Sequence, residues 1–214
     1  PQNPKTPYIL SFIIKMNKQS SRDIFDIISL NVIGFLENHI GITDVEFIER
    51  SGIAEMSLTT WEEENAPYTL PEDYKAFLQI FDGMSLSWRI KRGDQEIPLG
   101  NMHLNKLRDI KRIKGESFKF GRIGQNDADS SDDDDEGSKE EIAAFEIDSE
   151  TKNGRVALLF KGGSNQKPQI WFQDLSCKWY YIANTFTDYF RVMVMHLGIP
   201  NWQYAFTQCG LDQQ

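Results

Sequence analysis

The sequence has two cysteines, Cys177 and Cys209, and three histidines, His39, His103 and His196. Two cysteines are too few for a disulfide scaffold, and neither lies in a C-x-x-C or Cys/His metal spacing, so a reducing compartment is expected. The histidines stand apart, without an H-E-x-x-H pair, and no metal site is expected. Long hydrophobic runs are missing too. Tyr8 to Ile14, the longest apolar run near the start, covers seven residues, whereas a membrane span needs about twenty. No transmembrane helix is expected, and no membrane partner. The same stretch, following Lys5, imitates a signal peptide but lacks a small-residue cleavage site. Pro1 is not an initiator Met, which fits an internal or processed start.

Motifs that cradle phosphate or present a nucleophile are absent: there is no G-x-x-x-x-G-K-[ST], no G-x-G-x-x-G and no G-x-S-x-G. The acidic run fails as a calcium loop, because from Asp127 the sixth position is Asp132 instead of Gly and the twelfth is Ser138 instead of Glu. No basic neighbour is placed to lower the pKa of Cys209. The expectation is a chain with no catalytic residue, no cofactor and no bound metal, and not an enzyme.

What is present is a core. Apolar residues make up 40% and aromatics 12%, with five Trp and fourteen Phe in 214 residues. That suits one domain, since single cores stop growing only above roughly 250 residues. The formal charge of −9 is concentrated: between Asp127 and Glu141 nine acids face one base, Lys139, a local −8 that leaves −1 for the rest. A segment this polar, with Ser130, Ser131, Gly137 and Ser138, is expected to be a solvated insertion at about 125–141. Residues 1–19 form an N-terminal extension, and 20–214 a single domain.

Apolar spacing predicts the elements. Ile24, Ile27, Ile28, Val32 and Phe35 mark a helix from Ser20 to Asn38, with Ser21 as its N-cap. Val45 and Phe47 alternate as in a half-buried strand. Thr59 and Thr60 ahead of Glu62 and Glu63 have capping-box spacing, placing Trp61 on a short helical turn. Pro71, Glu72 and Asp73 open a helix that buries Tyr74, Phe77, Leu78 and Phe81 and ends at Asp82 and Gly83. A hairpin follows, turning at Arg92, Gly93 and Asp94. Leu104, Leu107, Ile110 and Ile113 predict a further helix whose remaining positions are mostly basic. Strands are expected at Ile142–Ile147, Val156–Phe160, Gln169–Phe172 and Trp179–Ile182, joined by short turns into an antiparallel sheet. Thr185 and Asp188 cap a last long helix, stopped by Gly198 and Pro200, before a short helix within Asn201 to Cys209. The plan is α+β: a mostly antiparallel sheet flanked by N-terminal and C-terminal helices.

From Lys106 to Arg122, seven bases outnumber Asp109 and Glu116, a local +5. Arg108, Lys111, Arg112 and Lys114 are therefore candidates for docking an acidic polymer, against the alternative that they form a solvated face or pair with the neighbouring acidic run. Trp88 and Trp202 are candidates for partner contacts, against the alternative that they are core. No RNP-like, KH or zinc-finger motif accompanies the bases, so nucleic acid is not an expected partner.

Several segments together resemble the tubulin polyglutamylase complex subunit two family: Trp61 with Asn65, LPEDYKAFLQIFDG from Leu70 to Gly83, the strand ending at Trp88, IPLG from Ile97 to Gly100, FEID from Phe145 to Asp148, IWF from Ile170 to Phe172, WYYI from Trp179 to Ile182, and the stretch from Thr185 to Leu211. The LP-x-x-[YV]…[DN]G core is also similar to the wider SUKH superfamily. The resemblance implies a SUKH-like α+β domain that binds proteins. It implies a non-catalytic adaptor of a complex whose separate ligase chain adds glutamates to tubulin tails. The implied partners are tubulin or microtubules, a tubulin glutamate ligase and other subunits. The implied location is the cytoplasm and cytoskeleton, extending to cilium, axoneme or basal body. The alternatives are a structural protein bound along ciliary or axonemal microtubules without a ligase, and an enzyme or immunity-type binder that shares only the fold.

Overall fold

The computed structural model of the chain describes residues 21–48, 50–114, 118–121, 141–164 and 166–211, without the side chains of 21–24 and 26–29. The expected N-terminal extension lies outside the described residues, as does nearly all of the acidic insertion. The elements run in the order α1 (Ser21–Glu37), β1 (Ile42–Ile48), α2 (Glu55–Glu64), α3 (Glu72–Ile80), β2 (Met84–Arg92), β3 (Gln95–Leu104), a 3₁₀ turn (Leu107–Asp109), β4 (Lys111–Arg112), β5 (Lys119–Phe120), β6 (Ile142–Asp148), β7 (Gly154–Lys161), β8 (Gln169–Asp174), β9 (Lys178–Ala183), α4 (Phe186–Met195) and a closing 3₁₀ turn (Trp202–Phe206). The α+β expectation holds.

The strands form two sheets. The first has three antiparallel strands in the order β1-β2-β3, with the β2–β3 turn at Gly93 and Asp94. The second has six, in the order β4-β6-β7-β8-β9-β5, antiparallel throughout except for β5, which runs parallel to β9. Its inner face presents Phe145, Leu158, Phe160 and Phe172 to the helices. There Phe25 of α1, Phe77 of α3 and Phe190 of α4 meet at 5.2–5.7 Å between ring centroids, and Tyr74 stacks on Phe186 at 4.1 Å. Offset and edge-on pairs of this kind suit the ring quadrupole and bury large apolar areas. The outer face is covered as well, because Ile113, Phe118 and Phe120 pack over Ala144, Ala157, Leu159, Trp171 and Trp179. Cover on both faces explains why β7 reads as an unbroken apolar run instead of alternating.

Local signals place the helices. Thr185 caps α4: its hydroxyl oxygen accepts from the Asp188 N–H at 3.1 Å and its hydroxyl proton goes to the Asp188 carboxylate at 2.8 Å. The Asp73 carboxylate reaches across to accept from the Thr187 N–H and hydroxyl at 2.8 and 2.9 Å, so the acidic first turn of α3 also serves the start of α4. The α1 stripe buries Phe25, Val32 and Leu36, with Phe35 partly covered. Phe25 and Leu36 extend the expected set, while the side chains of Ile24, Ile27 and Ile28 lie outside the described residues.

Two expectations are corrected. Thr59 and Thr60 do not begin a helix. The α2 helix starts at Glu55 after Ala54, and both hydroxyls donate back to the Glu55 and Met56 carbonyls, a bonding mode that threonine adopts inside helices. The segment from Leu104 to Ile113 is not a helix. Its backbone groups are taken by neighbours: Asn105 N–H donates to the Ile147 carbonyl, Leu107 N–H to the Asp82 carboxylate, and Ile113 N–H to the Ala144 carbonyl. Leu104 ends β3, Leu107 opens the 3₁₀ turn and Ile110 follows it, and all three are buried, which imitates helical spacing without helical bonding.

Gly198 lets the end of the chain close on β3. It has φ +65, its carbonyl accepts from the Asn101 N–H at 2.9 Å, and a Cβ there would lie 2.5 Å from the Asn101 backbone.

Candidate partner-binding site

The basic residues gather at one edge of the six-stranded sheet. β4 is the edge strand, with Lys111 opposite Glu146 and Arg112 opposite Phe145. Ile113 N–H bonds inward to the Ala144 carbonyl at 2.8 Å. Because antiparallel pairs alternate between bonded and non-bonded, Lys111 also turns its backbone inward, whereas Arg112 turns its N–H and C=O away from the sheet. Ile110 shares that outward parity, and its carbonyl accepts from Trp61 Nε1 at 3.1 Å.

Arg108, Lys111, Arg112 and Lys114 are all exposed, and Lys111 and Arg112, as successive residues of the edge strand, stand on opposite faces of the sheet. Arg108 lies on the 3₁₀ turn, 3.6 Å from the Asp109 carboxylate. The Arg112 guanidinium sits over the Tyr68 ring at 5.1 Å from its centroid, a cation–π contact. The Tyr68 hydroxyl donates to Glu141 at 2.8 Å, and burial followed by that hydrogen bond raises the Tyr68 pKa, keeping the phenol protonated. Lys119 is on β5 at the opposite edge, so the basic segment straps across the sheet and does not form a helical face.

Trp88 and Trp202 do not belong to this surface. Each is 4% exposed. The Trp88 indole N–H donates to the Leu197 carbonyl at 2.9 Å, and Trp202 stacks on His196 at 4.9 Å and packs against Tyr189. Their large apolar area is used to close the C-terminal segment onto β2 and α4, which corrects the expectation of partner contacts.

A second polar cluster, unmarked by spacing in the sequence, braces β3 against the turn after β6. Asp148 is buried, accepting from the Glu150 N–H at 2.9 Å and the Thr151 hydroxyl at 2.5 Å. Burial pushes its pKa up from the usual carboxylate value, opposed first by the Thr151 hydrogen bond. His103 Nε2 faces the Asn105 side-chain oxygen at 3.2 Å, and its Nδ1 lies 3.4 Å from Glu150, whose other oxygen accepts from Asn101 at 2.9 Å. These contacts tie the acids into the scaffold. Among the described residues, no three His, Cys, Asp or Glu side chains gather as a metal-holding group, and no helix is long and apolar enough to cross a membrane.

Mostly antiparallel sheets backed by helices, with Asp73 of the LPEDY helix start also serving the N-terminus of α4, define an α+β domain. The chain belongs to the SMI1 / KNR4 family (SUKH-1), whose model matches residues 53–192. Within that family it is 33% identical over 200 residues to tubulin polyglutamylase complex subunit 2 of Rattus norvegicus, covering 87% of this chain and 67% of the relative. It is 32% identical over 200 residues to the Mus musculus protein of that name, with the same coverage. Identity to the Homo sapiens protein is 31% over 199 residues, 87% of this chain and 66% of the relative. The chain thus spans about two thirds of these relatives, and the resemblance expected from its motifs holds. No solved structure matches the chain.

Proposed function

We propose that the chain is a non-catalytic, protein-binding subunit of a tubulin polyglutamylase complex, working beside a separate ligase and bringing it to tubulin or microtubules in the cytoplasm, cytoskeleton and cilium. The observation that carries this reading is the 33% identity across 87% of the chain to a relative named as a subunit of that complex. The exposed bases of the β4 edge support it, because tubulin tails and microtubule surfaces are acidic and a cationic edge attracts them.

The test is to tag the protein in its native cells, separate soluble and microtubule fractions across a salt series, and identify stoichiometric partners by mass spectrometry. A soluble complex containing a tubulin glutamate ligase is the expected outcome. Retention on microtubules without a ligase would replace this reading with that of a lattice protein. In the same cells, Lys111→Glu with Arg112→Glu is expected to lower microtubule association and flatten its salt dependence, while leaving the ligase bound. Unchanged association would remove the basic edge from the reading.

A further inference from the structure

Between β3, the turn after β6 and the loop that follows α4 lies a cavity of about 90 Å³, whose wall includes His103, Asp148, Glu150 and Gln203. Hydrogen bonding fixes what each of these presents. The Asn105 side-chain oxygen accepts from the Ser149 N–H at 3.2 Å and the Ser149 hydroxyl at 2.7 Å, so His103 Nε2, 3.2 Å from the same oxygen, carries the ring proton. Nδ1 of the neutral ring is then an acceptor. It is sealed from solvent, has no donor among the described residues, and faces Glu150 Oε1, another acceptor, at 3.4 Å. The Thr151 hydroxyl gives its proton to Asp148, so its oxygen accepts from Gln203 Nε2 at 3.3 Å. That turns the amide oxygen of Gln203, a residue 4% exposed, away from Thr151, and it has no partner among the described residues. Each Asp148 oxygen accepts one hydrogen bond and keeps a second lone pair.

The wall is thus rich in acceptors and carries two carboxylates, and among the described residues no Lys or Arg lies within ion-pair distance of Asp148 or Glu150. Such a space favours a cation that brings its own hydrogen-bond donors. A metal ion does not fit, since among the described residues no three His, Cys, Asp or Glu side chains gather to hold one. His103 Nδ1, Gln203 and the two carboxylates also outnumber the three donors of an ammonium, whereas a guanidinium has five in a planar fork. The outer lining is apolar: Leu99, Ile199 and Pro200 belong to it, with Ile199 45% exposed, which suits a methylene stem. Lys152 lines the cavity too, but among the described residues its ammonium has no carboxylate within ion-pair distance. We propose that this cavity receives the guanidinium of an arginine side chain from a partner protein, bound by Asp148 and Glu150, with His103 Nδ1 and Gln203 accepting its remaining N–H groups. The inference deepens the complex-subunit reading by naming what the domain grips; it rests on that reading only for the protein that supplies the arginine.

The test titrates the nitrogen-15-labelled chain with acetyl-glycyl-arginyl-glycine amide, at about pH 8, where an ordinary imidazole is neutral. The indole N–H of Trp202, which also lines the cavity, is the local reporter. The arginine peptide is expected to shift it saturably, and the citrulline counterpart, of the same shape without the charge, to bind at least about tenfold more weakly. The lysine counterpart is expected to fall between them. Glu150→Gln, a change at a half-exposed side chain, is expected to weaken the arginine peptide by a similar factor. The His103 ring nitrogens of the unaltered protein give a readout independent of any variant's folding: Nε2 is expected to be protonated and Nδ1 not, with the Nδ1 resonance moving as it accepts from the peptide. Equal binding of the citrulline or lysine peptide would overturn the proposal, as would indifference to Glu150→Gln. So would an Nδ1 already protonated in the free chain and unmoved by peptide, because a proton then does what the guanidinium is proposed to do. If the arginine peptide binds only after Lys152→Met, the cavity belongs to the chain's own ammonium and the proposal fails. Complex membership is read in cells and survives each of these outcomes.

Discussion

At the scale of single residues, the sharpest conflict is Asp148, a carboxylate buried in a domain whose other deep positions are mostly apolar. The Thr151 hydroxyl and the Glu150 N–H hold it, yet burial still raises its pKa above 3.8. A carboxyl that binds its proton more tightly when folded lends stability that is complete below the unfolded value and is lost as pH rises through the folded one. Asp148→Asn removes that loss. The variant is therefore expected to gain on the parent between a pH below 3.8 and neutrality, measured by urea unfolding of both proteins at the two ends. A stability difference that does not vary with pH would show that the buried carboxylate carries no such penalty. Tyr74 and Tyr189, both buried nearby, are raised mainly by the same desolvation and stay protonated throughout this range.

At the scale of elements, the informative piece is the strap running from the 3₁₀ turn through β4 to β5. Its spacing of Leu104, Leu107, Ile110 and Ile113 imitates a helix, but the chain instead spends its backbone bonds on β6 and β9 and its aromatics on the outer face. Phe118 lies 5.8 Å from Trp179, Phe120 lies 5.1 Å from Trp171, and the Lys161 ammonium sits over Phe120 at 3.9 Å. Removing both phenyl rings, Phe118→Ala with Phe120→Ala, is expected to destabilise the domain by at least about 2 kcal/mol, since truncating a packed Phe loses transfer energy and leaves space behind. It should also shift tryptophan emission to the red as the two indoles meet water. An unchanged spectrum would mean that the strap does not shield that face. Helix α4 is the opposite case: its cap, its buried face and its stop were all legible, because each depends on residues within a turn or two of one another.

At the scale of the molecule, one continuous core joins α1, α3 and α4 to the inner faces of both sheets. A core shared in this way predicts a single cooperative transition, with tryptophan fluorescence and far-ultraviolet dichroism giving coincident urea midpoints. Separate midpoints would divide the three-stranded sheet from the six-stranded one. The charge of the whole molecule says little about binding. The acidic balance comes from the run Asp127 to Glu141, while Arg108, Lys111, Arg112 and Lys114 at and beside the β4 edge are exposed.

The α+β class, the two hairpin-rich regions, the α3 and α4 helices and the family motifs were determined by sequence alone, since periodicity, capping and turn chemistry act over a few residues. Tertiary structure decided what those signals leave open. Trp88 and Trp202 are core because the C-terminal segment folds back over them, a contact between residues 109 apart in the case of Trp88 and Leu197. Lys111 and Arg112 lie on a sheet edge because β6, more than thirty positions further on, pairs with them. No local pattern encodes such a pairing: both outcomes turn on long-range hydrogen bonds whose partners the intervening chain must first bring together.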